Sequence, residues 1–96
     1  MSEKDRESIR DIVHDDMGLD LTEQQLDELC SNPRVVAEVT EWGTFDTQTR
    51  ERITAVLTEQ IVGRRWPMNG DPKEYKDAFY QDFEREARLK GFRLIE

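Results

Sequence analysis

The chain has 96 residues, 35% of them hydrophobic and 38% charged, with a formal net charge of −8. That length fits one domain with a modest core. One cysteine excludes an intramolecular disulfide and any multi-cysteine metal site. So polar a composition raises the question of disorder, but apolar residues at helical spacing and eight aromatics argue for a folded domain.

The sequence opens Met-Ser-Glu-Lys-Asp-Arg-Glu, with no apolar stretch of signal-peptide type. No apolar run approaches the ~20 residues of a membrane helix. With a single free thiol, the expected setting is cytoplasmic, with no membrane partner. No internal repeat or linker divides the chain, so residues 1–96 read as a single helical domain.

The first helix is predicted from about Glu3 to Met17. Ser2 caps it, with Asp5 as the reciprocal carboxylate; Ile9, Ile12, Val13 and Met17 share its apolar face, and Gly18 closes it. The second opens on a capping box, Thr22 with Gln25, and Leu21 and Leu26 are placed as a hydrophobic staple. Leu26, Leu29 and Cys30 carry its stripe, so Cys30 reads as a small core residue.

Asn32-Pro33 starts the third helix, as cap and first position, with Val35, Val36, Val39 and Trp42 on one face and Gly43 at its end. The fourth is capped by Asp46 or Thr47 and runs to about Val62. Ile53, Val56, Leu57 and Ile61 face the core, Thr54, Thr58 and Glu59 lie off that face, and Gly63 is the stop. A loop, Arg64-Arg65-Trp66-Pro67-Met68-Asn69-Gly70, follows. Asp71-Pro72 then reads as cap and first position of a fifth helix running to Lys90. Tyr75, Phe79 and Phe83 recur every four residues in it, flanked by Ala78 and Ala87. Gly91 ends it, and Phe92 is placed for the apolar contact that accompanies such a glycine. Phe92 to Ile95 reads as a short extended tail without a partner in this chain, packing irregularly or pairing between subunits. The fold expected is all-α: an orthogonal bundle of four to five short helices.

Charge is divided unevenly. Met1 to Gln48 holds thirteen acids and four bases, whereas Thr49 to Glu96 holds nine acids and ten bases. Such asymmetry points to an oriented electrostatic partner. Asp5, Asp11, Asp15, Asp16, Asp20, Glu23, Asp27 and Glu28 spread over the first two helices. They are either a solvated surface or a docking surface for a basic protein. In charge composition alone the chain resembles small nucleic-acid-mimicking inhibitors of phages and mobile elements, since carboxylates on rigid helices can imitate backbone phosphates. No sequence motif carries that resemblance.

Other chemistries find little footing. An EF-hand register with Gly18 at loop position six puts Val13 at position one, where an oxygen ligand is required. His14, the sole histidine, has Asp11 and Asp15 nearby but no second histidine for zinc and no evident nucleophile. Glycine-rich phosphate loops, Gly-x-Ser-x-Gly and Cys-x-x-Cys are absent from the sequence. A helix-turn-helix reading fails because Arg34 is the lone base of the would-be recognition helix, beside Glu38 and Glu41. Direct nucleic-acid binding is therefore not expected, nor is a metal or cofactor.

In the basic half, Arg85, Arg88 and Lys90 suit the negative end of the fifth helix, as Arg64 and Arg65 suit the fourth. Trp66 beside the two arginines is the strongest candidate for a contact anchor, followed by Trp42 and Phe45, unless the tryptophans simply cover the core edge. The reading is a non-enzymatic protein-binding module that meets a basic partner through an acidic surface, as an accessory or inhibitory protein of a mobile element. Its candidate partner-binding residues are Asp11, Asp15, Asp16, Asp20, Glu23, Asp27, Glu28, Arg64, Arg65 and Trp66. The alternative is a structural subunit that forms homo-oligomers; a small enzyme or metal-binding protein comes third.

Overall fold

A computed structural model describes residues 1–42, 46–67 and 70–95, with the backbone alone at Trp42. The elements in chain order are α1 (Glu3–Met17), β1 (Leu19–Asp20), α2 (Glu23–Ser31), α3 (Pro33–Trp42), α4 (Thr47–Val62), α5 (Lys73–Leu89) and β2 (Arg93–Leu94). Among the described residues the architecture is a small all-helical bundle with one two-stranded antiparallel ladder. The expected roles of the Trp42 side chain, Gly43, Phe45, Met68 and Asn69 lie outside the described residues.

Most helix ends obey local chemistry. Ser2 Oγ accepts the Asp5 N–H at 3.2 Å. Thr22 and Gln25 form both halves of the capping box, at 3.1 and 3.0 Å. Asn32 Oδ1 accepts from the amides of Arg34 and Val35, and Asp46 Oδ1 from that of Thr49. Gly18 closes α1 at φ 71°, a conformation that favours a residue without Cβ, and its N–H donates to His14 O. Gly91 plays the same part after α5, where the Phe92 N–H reaches back to Ala87 O at 2.9 Å.

The start of α5 departs from expectation. Pro72 occupies the cap position without a side-chain bond, and the helix begins at Lys73. The Asp71 carboxylate instead meets Arg65 Nη1 at 3.1 Å. A charge-assisted pair with a guanidinium competes successfully with a neutral backbone amide for that oxygen.

The core runs through α4, which packs against α1, α3 and α5. Ile53, Leu57 and Ile61 are buried against Ile9, Ile12, Val13, Val35, Phe79 and Phe83. Thr54 and Thr58 are also buried, contrary to their expected position off the core face. A helix packed on several sides has no broad polar face. Both hydroxyls are satisfied one turn back, Thr54 Oγ1 donating to Arg50 O at 2.7 Å and Thr58 Oγ1 to Thr54 O at 2.8 Å. On α5, Phe79, Phe83 and Ala87 are buried, while Tyr75 and Ala78 sit at the exposed rim.

The C-terminal tail does have a partner within the chain. Leu19 stands opposite Leu94 and Asp20 opposite Arg93, so β2 ties the end of the chain to the α1–α2 junction. Leu19 is buried and Leu94 half-buried on the core side. Two residues give no alternating pattern from which β1 can be recognised in sequence.

Candidate functional site

The structure divides the acidic residues of the first two helices into two sets. Arg6 and Arg10, on α1, turn towards α2. Arg6 Nη2 lies 2.6 Å from Asp27 Oδ1 and 3.8 Å from Glu23 Oε2, and Arg10 pairs with Glu23 as well. The Asp27 carboxylate and its hydrogen bond raise the Arg6 pKa above the usual guanidinium value. From the second half of the chain, Arg50 Nη2 reaches Asp16 Oδ2 at 3.4 Å and Arg93 Nε lies 3.9 Å from Asp20 Oδ2. Four expected contact residues, Asp16, Asp20, Glu23 and Asp27, thus each face an arginine. The continuous negative surface expected across both helices is broken there, because folding brings bases from α1, α4 and β2 against it.

The second set stays open. Glu28 is exposed and, among the described residues, receives only a 3.4 Å hydrogen bond from Gln24 Nε2. Asp15 Oδ1 lies 2.8 Å from His14 Nδ1. Glu7 and Asp11 are exposed and make no ion pair among the described residues. Glu3, Glu7, Asp11 and Asp15 follow one another at intervals of four, which places them in one row along the outer side of α1. Successive members are separated by about 6 Å of helix rise. Like charges at this spacing destabilise a helix by roughly 0.2–0.5 kcal/mol per pair. Glu7 belongs to this row but not to the expected contact set; its four-residue interval to Asp11 was the available signal.

The loop candidates are committed inside the fold. Arg64 grips Glu86 with Nε and Nη2, at 3.0 Å and 2.8 Å in the closest approaches, and its Nη1 lies 3.7 Å from Asp82. These carboxylates raise its pKa, Glu86 foremost. Arg65 pairs with Asp71, and its Cζ lies 5.1 Å above the ring of Tyr75. Tyr75 in turn donates its hydroxyl to Arg65 O at 3.3 Å. Trp66 is half-buried and meets Phe79, Tyr80 and Phe83 edge-on, with centroids 5.5, 5.8 and 5.9 Å away. It covers the core edge and also borders a shallow hollow with Asp16 and Arg50.

His14 faces a larger cleft of ≈ 910 Å³, whose wall includes Asp20, Glu84, Arg88 and Arg93. Its lining has acid–base groups but no Ser, Thr, Cys or Lys nucleophile. Among the described residues no three His, Cys, Asp or Glu side chains are grouped to hold a metal ion. Among them also, no helix is long and apolar enough to cross a membrane.

A family model described as a domain of unknown function, DUF8308, matches residues 2–96. The chain belongs to the DUF8308 family. No curated protein and no solved structure matches it. The DUF8308 match extends from α1 to β2, so the α1 row and the arginine-paired surface lie within the one family domain.

Proposed function

We propose that this domain is a non-enzymatic binding module whose outer α1 row, Glu7, Asp11 and Asp15, docks onto a basic protein surface. The observation that carries this reading is the contrast between the two acidic sets. Arginines hold Asp16, Asp20, Glu23 and Asp27, whereas Glu7 and Asp11 remain without a counter-charge among the described residues. Their mutual repulsion weakens α1, a cost that a merely solvated face would avoid by alternating sign.

The spacing favours a basic protein face over strict imitation of a duplex. B-DNA carries a charge for every ~1.7 Å of axis, about three to four times the density of a row stepping about 6 Å. The working picture is an accessory or inhibitory protein in a reducing, cytoplasmic setting, steered to its partner by long-range attraction. It needs no cofactor. A sodium chloride titration of partner binding tests the mechanism: affinity should fall steeply with salt, and a salt-independent affinity would remove it.

A further inference from the structure

Among the described residues, β2 is paired on one side only. Ile95 N–H donates to Gly18 O at 2.9 Å, in the same ladder that sets Leu94 opposite Leu19. Alternate residues of an antiparallel strand aim their N–H and C=O at opposite edges. Arg93 and Ile95 therefore address β1, and Leu94 addresses the outer edge. No donor or acceptor among the described residues meets the Leu94 backbone there. Such an edge is a template for another chain.

The surroundings narrow the choice of occupant. The cleft that contains His14 runs along this tail, lined by Arg93, Leu94 and Ile95 together with Glu84 and Arg88 of α5. Ile95 is 39% exposed, and Leu89, next to Arg88 in a neighbouring hollow, is 81% exposed. Glu84 and Arg88 stand one helical turn apart, and neither makes an ion pair among the described residues. Residues 81–95 carry three acids and four bases in a protein of net charge −8. This is a face on which two copies can meet without strong mutual repulsion, unlike the row on α1.

We infer that the outer edge of β2 is the seam of a homodimer. A second copy lays its own β2 antiparallel against the first, with the two-fold axis beside Leu94. The two Leu94 residues exchange N–H···O=C bonds, and the pair of two-stranded ladders becomes one four-stranded sheet. A two-fold seam must complement itself. The order Glu84 then Arg88 does so, because rotation presents Arg88 of one protomer to Glu84 of the other, and the reverse. Leu89 and Ile95 supply apolar cover at the rim. The seam uses neither Glu7 nor Asp11, so it stands independently of the α1 row.

Sedimentation equilibrium of the full chain, from low micromolar to near-millimolar protein, tests the inference. Mass should rise to twice that of the monomer and stop. Glu84→Arg, an exposed change, should weaken dimerisation by at least about ten-fold through like-charge contact with Arg88. The double variant E84R/R88E, which restores opposite charges across the axis, should recover most of the affinity. A wild-type chain that stays monomeric throughout, mass that grows beyond the dimer, an unaffected Glu84→Arg, or a double variant no tighter than the single would each overturn it.

Discussion

Arg50, in the opening turns of α4, places Nη2 3.4 Å from Asp16 Oδ2 at the close of α1. The pair joins the two halves of the chain whose charges differ so strongly in sequence. It also marks where the negative surface of α1 ends. An exposed pair of this kind contributes about 0–1 kcal/mol. Arg50→Ala should therefore change thermal stability little while uncovering Asp16. Affinity for a basic partner should rise, as measured by calorimetry at low salt; a drop would place Arg50 itself in the contact.

The helices were legible because their ends are written in local chemistry. Ser2, Thr22 with Gln25, Asn32 and Asp46 each cap the helix that follows within a few residues, and their bonds need no tertiary context. Asp71 carries the same signal yet does not cap α5, since Arg65, six residues upstream, pairs with its carboxylate. Thr54 and Thr58 look polar in a linear pattern, yet α4 is central and their hydroxyls bond within the helix. The acidic site was legible only in outline. Which carboxylates stay open depends on Arg50 and Arg93, 34 and more residues away from their partners in sequence, and no local rule reports such pairings.

The capping box has a second duty. Gln25 bonds the Thr22 amide and also donates Nε2 to Gly91 O at 3.0 Å, linking α2 to the turn before β2. Thr22→Ala should cost about 1 kcal/mol. Gln25→Ala should cost more, because the link to the C-terminal turn goes with it. Urea unfolding of both variants decides the order, and equal losses would show that the Gly91 contact contributes nothing.

The aromatic cluster should behave as core. Phe83 is buried and stacks on Phe79 with centroids 5.8 Å apart, so Phe83→Ala should cost about 3–5 kcal/mol. Trp66→Ala should also destabilise, by less, because that ring is only half-buried. Denaturant midpoints at constant slope test both. A Trp66→Ala chain as stable as wild type would show that Trp66 is free for partner contact.

Stability should decline towards both ends of the pH scale. The Thr49 amide, by its hydrogen bond, holds the Asp46 carboxyl below its usual value. Asp46 thus adds stability above the ordinary carboxylate pKa of about 3.9, and that contribution disappears as pH falls through the lowered folded value. Burial pushes the Cys30 thiol up, with Arg6 opposing it. Its contribution is complete below the ordinary thiol pKa of about 8.5 and is lost as pH rises towards the raised folded value. Asp46→Asn, which keeps a capping oxygen, should flatten the acid limb of a stability–pH profile, and Cys30→Ala the alkaline limb. Limbs unchanged in these variants would assign the pH dependence to other groups.

The most direct measurement sets the stability of α1 against its binding, using Asp11→Lys. This change converts the Glu7–Asp11 and Asp11–Asp15 repulsions into attractions, worth roughly 0.2–0.5 kcal/mol each. The variant should melt at a slightly higher temperature than wild type. In pull-downs from the native host at low salt, it should lose a basic protein that wild type retains and releases on adding sodium chloride. A variant that captures the same protein equally well would contradict a recognition role for the open carboxylates of α1.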